Sequence, residues 1–207
     1  MTGSELSEDV LRAMEVTEDP KASFFSKMPA FGTMLTNAPS FLYKNRAAVT
    51  VPRIDGFFRA LRASTDLPIG AAGFCWGGFH VFRLASGKDK TDDGKPLCDA
   101  FFTAHPSMLT LPADAEAVTL PVSVAHGGAD SHLKDDKVEM IRTNFQRKTK
   151  EGIDCELEVY PGAKHGFAIR GDRANEKQLK DLLAAKDQAV RFFTKHLAGS
   201  SKTESKL

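Results

Sequence analysis

The spacing of apolar residues changes twice along this chain and divides it into three stretches. Over residues 1–40 they come in short groups such as Phe24-Phe25, broken up by Pro20, Pro29 and Pro39. Proline has no backbone N–H and disfavours helix in the residue before it, so short helices joined by turns are expected here. Ile54, Phe57, Phe58 and Leu61 then fall at helical spacing, which predicts a longer helix ending near Ser64. From residue 65 short apolar runs alternate with helical periodicity. Ile69 to Phe74, Cys98 to Ala104, Leu120 to Ala125 and Cys155 to Tyr160 read as strands. Gly77 to Ala85 reads as a helix, and helical spacing returns at Val138, Ile141 and Phe145. A long amphipathic helix closes the pattern, with Leu179, Leu182, Leu183, Ala189, Val190, Phe193 and Leu197 on one side. Strands separated by helices imply a mostly parallel sheet covered on both faces, so the expected class is α/β.

At 207 residues the chain is long enough to bury a sizeable core and short enough for one domain. Residues 1–198 are read as that domain, helical over 1–64 and strand-bearing over 65–198, with 199–207 a loose polar tail. Its 42% hydrophobic and 27% charged residues are ordinary for a globular protein. Lys plus Arg number 28 against 27 Asp plus Glu, so neither nucleic acid nor an anionic membrane is an expected partner. No apolar run approaches bilayer-spanning length. The polar, acidic start from Met1 to Asp9 reads as neither a secretory signal nor a transit peptide. Three cysteines without a C-x-x-C spacing argue against a disulfide framework or a zinc site, and for a reducing compartment. The last residues, Ser205-Lys206-Leu207, form the peroxisomal import tripeptide. An import receptor is therefore an expected partner and the peroxisome the expected location, the cytoplasm being the alternative.

The chemistry gathers where strands end. Gly73-Phe74-Cys75-Trp76-Gly77 is a G-x-C-x-G pattern between an expected strand and an expected helix, the setting of a nucleophile elbow. Its glycines are read as room for strand and helix to approach at a sharp turn. A thiol at the helix N-terminus is biased toward thiolate by the helix dipole. The backbone N–H of Trp76 would be an oxyanion-hole donor, and its ring could wall a pocket. Downstream, His126-Gly127-Gly128-Ala129-Asp130 places an acid just past the third strand, and Pro161-Gly162-Ala163-Lys164-His165 a histidine just past the fourth. Active sites of open α/β sheets collect at the carboxyl ends of strands. Cys75 as nucleophile, Asp130 as orienting acid and His165 as base also follow the α/β-hydrolase chain order. Asp135 and Asp136 compete with Asp130 but fall near the first turn of a helix, where carboxylates are common. His105 ends the second strand and could line the pocket, His126 begins a turn, and Cys98 and Cys155 read as packed.

Gly-Phe-Cys-Trp-Gly-Gly, His-Gly-x-x-Asp and His-Gly-Phe-Ala together resemble the three signature segments of the dienelactone hydrolase family, its fungal members in particular. The resemblance runs from about Ala22 to Leu197. It implies an α/β-hydrolase fold and hydrolysis of a small ester or lactone through a thioester acyl-enzyme, with no metal or cofactor. It also implies that an arginine soon after the histidine binds a substrate carboxylate; Arg170 matches, and Phe167 and His105 join it as candidate substrate-contacting residues. Members of the family usually carry several strands before the helical stretch read here over 1–64, and these supply a second oxyanion N–H and a glutamate that governs the cysteine's charge. No such run is found, so the fold is expected to be shortened at its start, with the elbow strand at an edge of the sheet.

Two other readings stand beside the hydrolase. One is a catalytically silent relative that binds a ligand or pairs with another chain as a homodimer. The other is an acyl-transferring enzyme, which would share the same three residues.

Overall fold

In a computed structural model, residues 7–18 and 22–198 are described; the tail with Ser205, Lys206 and Leu207 lies outside them. The chain forms two compact units, Met1–Gly56 and Phe57–Leu207.

The first unit holds α1 (Glu8–Glu18) and α2 (Phe24–Lys44), and α3 (Ala47–Ser64) begins within it. α1 packs on α2, and Val10 and Ala13 on one helix and Ala30 on the other are buried. Turns were expected at the prolines; instead α2 continues through Pro29 and Pro39, and α3 starts ahead of Pro52. Each proline deletes one backbone hydrogen bond. Phe24, Met28, Phe31 and Leu35 nevertheless keep a three- and four-residue spacing across Pro29, and the Ser23 side chain caps the helix by accepting from the Ser26 amide. The Ser23 cap supports the start of the helix, while Phe24, Met28, Phe31 and Leu35 are themselves exposed.

The second unit contains β1 (Gly70–Phe74), α4 (Gly77–Ala85), β2 (Ala100–Ala104), α5 (Ala113–Glu116), β3 (Val122–Gly127), α6 (Asp135–Lys150), β4 (Cys155–Tyr160), α7 (Phe167–Arg170) and α8 (Glu176–Leu197). All four strands pair in parallel in the order β1-β2-β3-β4. The class is α/β, as expected. The one-turn helices α5 and α7 are too short to leave a periodic signal.

Every residue of β2 and β3 is buried, which fits strands covered on both faces. Phe102, Ala104 and Ala125 join Tyr160, Phe167 and Ala185 in one core cluster, and Ala189 and Phe193 of α8 pack against it. On the opposite face α4 lies so close to β2 that a Cβ on Gly78 would come 3.1 Å from Thr103 Oγ1. Gln188 of α8, fully buried, accepts from the Tyr160 hydroxyl at 2.8 Å and donates to Ser123 Oγ at 3.0 Å, so the helix is tied to the sheet by satisfied polar contacts. At the amino ends of the strands, Asp99 Oδ2 accepts from the Ile69 amide at 2.7 Å and from Arg62 at 2.6 Å, fixing where β1 starts against β2.

Register decides where the chemistry emerges. Phe74 lies opposite Ala104, Ala104 opposite Ala125, and Gly127 opposite Tyr160. The loops after the four strands therefore leave the sheet side by side at their carboxyl ends. Among the described residues β1 pairs only with β2, so the elbow strand is an edge, as its place in the sequence implied.

Candidate active site

Cys75 sits between β1 and α4 with φ 54, a left-handed conformation that a non-glycine residue adopts only under constraint. The constraint is visible. Its amide donates to the Ala104 carbonyl at 3.3 Å and its carbonyl accepts from the Gly78 amide at 2.9 Å. A Cβ on Gly73 would meet the Gly77 carbonyl oxygen at 2.5 Å, and one on Gly78 would meet Pro106 Cβ at 2.4 Å. Gly77, given the same reason in the sequence, has open space around it. The close approaches are thus at the first glycine of the pattern and at the one after its end.

The loops after β3 and β4 are also pressed together by glycine. A Cβ on Gly127 would come 2.5 Å from the Ala163 carbonyl oxygen, while the Gly128 amide donates to Tyr160 at 2.8 Å and the Ala129 amide to Ala163 at 2.9 Å. This contact brings Asp130 to His165. His165 Nδ1 lies 2.9 Å from Asp130 Oδ2, and both side chains are fully buried. The other carboxylate oxygen, Oδ1, accepts from the His132 amide at 2.8 Å and has His132 Nδ1 at 3.4 Å. The His132 ring, partly exposed, lies with its centroid 4.1 Å from that of His165.

The charges follow from these contacts. Burial would raise the Cys75 thiol, but His165, the Ser107 hydroxyl and the Trp76 amide at its sulfur together bring it below its ordinary 9.0. Burial would likewise lower His165, but the hydrogen bond it donates to Asp130, the Cys75 sulfur as an acceptor and the charges of both raise it to about 9. Burial opposes charge on Asp130 too, and is overcome by His132 and His165, which hold the carboxyl well below its usual range. His165 Nε2 is buried with no partner at ordinary hydrogen-bond geometry, and the Cys75 sulfur acts on it as a longer-range acceptor as well as a charge. A carboxylate, an imidazole and a thiol gathered in this way are the kinds of groups that nucleophilic acyl transfer uses. Asp130, His132 and His165 each offer a ligand atom within 4.8 Å of the others, but a cation there would have to displace the Asp130–His165 hydrogen bond.

The family's sequence profile matches residues 43–197. The chain belongs to the dienelactone hydrolase family. A curated relative, hydrolase tropI of Talaromyces stipitatus, is 28% identical over 130 residues, which cover 62% of this chain and 46% of the relative. This family member thus spans about half the length of the curated relative it matches. Two crystal structures share its fold. A dienelactone hydrolase-family protein of Klebsiella pneumoniae aligns with TM-score 0.55 at 19% identity, covering 76% of this chain and 67% of its own. A dienelactone hydrolase-like promiscuous phosphotriesterase from metagenomic libraries aligns with TM-score 0.56 at 21% identity, covering 79% and 68%.

The remaining candidates of this dienelactone hydrolase family member fall in several places. His105, fully buried at φ 40, sets its ring centroid 4.9 Å from that of His165 and is pushed down to about 3, mainly by burial, so it is a neutral ring behind the base. Phe167 is buried in the core cluster against Tyr160 and His105. Arg170 ends α7 with its guanidinium over Gly166, and its Nη1 is buried without a hydrogen-bond partner. His126 belongs to β3 rather than to a turn, and is buried. Asp135 and Asp136 are exposed in the first turn of α6, which accounts for them electrostatically. Cys98 and Cys155 are buried, and burial pushes both thiols up to about 12.

Two residues of the site were not singled out from the sequence. His132 follows Asp130 by two, the spacing at which an Asp side chain accepts from a backbone amide, and that was its available signal. Ser107 reaches Cys75 only through the pairing of β1 with β2, which no local pattern announces. The size of a cleft would not have located the site: one of about 470 Å³, lined by Arg59, Arg62, Asp92 and Lys95 among others, lies toward the amino ends of the strands, where Arg62 meets Asp99.

Proposed function

We propose that this family member hydrolyses a small ester or lactone through a thioester formed on Cys75. The observation that carries the reading is the buried Asp130–His165 hydrogen bond, 2.9 Å long, beside a thiol drawn below its ordinary pKa. In the reaction the Cys75 thiolate attacks the substrate carbonyl while the Trp76 N–H faces the developing oxyanion. His165 gives its Nε2 proton to the departing alkoxide, leaving a thioester. It then takes a proton from water as that water attacks the thioester, and the acid leaves with the thiolate restored. Asp130 keeps Nδ1 hydrogen-bonded and the ring oriented throughout. Arg170, with a buried Nη1 still to be satisfied, is assigned to a carboxylate on the substrate. That the curated relative is itself named a hydrolase agrees with this reading.

Iodoacetamide tests it in the folded protein, because alkylation follows the thiolate. Near neutral pH, Cys75 is expected to be labelled far faster than Cys98 or Cys155, whose thiols stay protonated until about 12. Equal labelling of the three would sink the reading. The second reading, a silent relative that acts by binding or self-association, has the open β1 edge in its favour. It is distinguished by selective labelling of Cys75 without any turnover of p-nitrophenyl acetate. The peroxisomal address belongs to the proposal as well. A fluorescent fusion carrying Ser205-Lys206-Leu207 at its end is expected in peroxisomes, and one lacking the tripeptide in the cytosol; identical distributions would remove the address.

A further inference from the structure

The elbow presents one backbone N–H, that of Trp76, toward an oxygen developing next to Cys75. A tetrahedral oxyanion with a single donor is poorly stabilised, and a second donor would have to lie near Cys75 Sγ. Ser107 Oγ lies 3.8 Å from Cys75 Sγ. Its residue is clamped to the elbow from the other side, the Ser107 amide donating to the Cys75 carbonyl at 3.0 Å. Ser107 is half-buried, so its hydroxyl borders the space a substrate must enter.

The backbone on both sides is held in an unusual form. Cys75 (φ 54), His105 (φ 40) and Met108 (φ 63) are the non-glycine residues with positive φ among those described, and all three belong to the elbow and the adjoining loop after β2. Strain of this kind persists where surrounding contacts over-determine it, and it gathers at sites whose geometry must be kept. Here the contacts are the Cys75 amide on Ala104, the His105 amide on Ala125 at 2.8 Å, and Pro106 packed where Gly78 leaves no room for a Cβ. The result is a serine hydroxyl fixed beside the nucleophilic sulfur.

We propose that Ser107 is a catalytic residue: its hydroxyl donates to the Cys75 thiolate at rest, and to the substrate's carbonyl oxygen as that oxygen becomes negative. The proposal rests on the hydrolase reading above. The geometry allows the transfer. When sulfur bonds to the acyl carbon, the carbonyl π electrons move onto an oxygen attached to that same carbon. This oxygen lies two bonds from the sulfur that Ser107 already faces, so a rotation of the Ser107 hydroxyl can bring it toward the ~2.7–3.1 Å donor distance that stabilises an oxyanion. The hydroxyl keeps its proton throughout, so no further acid or base is needed. Ser107 and the Trp76 amide then share the negative charge.

The test compares hydrolysis of p-nitrophenyl acetate by the full chain and by Ser107→Ala, Ser107→Thr and Ser107→Val over a range of pH. Threonine keeps the hydroxyl, and valine removes it at nearly the same shape. A donor to the oxyanion is needed even when the thiol is fully ionised. The Ala and Val variants should therefore lose ~10²–10³ in kcat at the maximum of the pH profile, below the alkaline decline set by His165, with Thr retaining most of the activity. Selective labelling of Cys75 by iodoacetamide in each variant shows that the site is still assembled. A loss that disappears once Cys75 is fully ionised would reduce Ser107 to a thiolate partner and overturn the proposal. Unchanged activity in Ala and Val would overturn it too. Should Cys75→Ala hydrolyse the ester as fast as the parent chain, the hydrolase reading fails and takes this inference with it; failure of the serine variants alone leaves that reading standing.

Discussion

Changing Cys75 to alanine is expected to lower kcat for ester hydrolysis by a factor on the order of 10⁴–10⁶, since removing the nucleophile of a concerted set costs about as much as removing the whole set. The loss should be chemical rather than structural. Cys75 is only partly buried, and its left-handed backbone costs an alanine about what it costs a cysteine, so the thermal unfolding midpoint should stay nearly unchanged. His165 adds a check of its own. Part of what holds it at about 9 is the Cys75 sulfur, so its pKa should drop in the alanine variant while the Asp130 hydrogen bond keeps it above 6.5. NMR titration of the imidazole resonances reads that drop. A serine at position 75 separates nucleophile from geometry. A hydroxyl is ionised by none of the contacts that ionise a thiol, so Cys75→Ser should remain far below the parent chain although the elbow is intact. Hydrolysis by Cys75→Ala at the parent rate, under conditions where iodoacetamide still singles out Cys75 in the parent, would refute the nucleophile assignment.

Much of this site could be read before the fold was known, because the features involved are local. The elbow is five adjacent residues between a strand and a helix, and the order cysteine, aspartate, histidine needs only that each follow a parallel strand. Four parallel strands at the expected places follow from the alternation of short apolar runs with helical spacing. What escaped depends on relations between distant segments. Ser107 meets Cys75 because Phe74 is in register with Ala104, a fact about pairing and not about either segment. Gly78 is needed because Pro106 packs on it, while a Cβ at Gly77, inside the pattern, would meet nothing. Phe167 resembles a pocket residue in sequence, yet it closes the core beneath the site with Tyr160 and Ala185. At α2 the expectation failed for a different reason: a proline removes only one backbone hydrogen bond, and the capped helix continues through it.

Asparagine at position 130 should cost activity as well, less than loss of the nucleophile does, for a reason that lies in the proton on His165. Asp130 accepts from Nδ1, which leaves Nε2 facing Cys75. An amide in its place can present an N–H to Nδ1 and shift the ring proton to Nε2, the wrong tautomer for a base that must receive a proton there. It also removes the negative charge that keeps the imidazolium stable in a buried setting. A fall in kcat on the order of 10²–10⁴ is expected. The pH profile carries the sharper signature. His165 is raised from 6.5 to about 9, so the imidazolium persists until about pH 9 and activity in the parent chain should decline above it. Without Asp130 that alkaline limb should move down toward 6.5. Activity is the right quantity to follow, because folding stability hides the pair. Between 6.5 and about 9 the folded state keeps a proton on His165 that the unfolded chain has lost, whereas the lowered Cys75 thiol gives up its proton earlier than an unfolded one, which keeps it up to 9.0. The two differences oppose each other in the slope of stability against pH, so an unfolding experiment reads only what is left between them. An Asp130→Asn variant with the parent's alkaline limb would show that the charge on His165 is set by something other than Asp130.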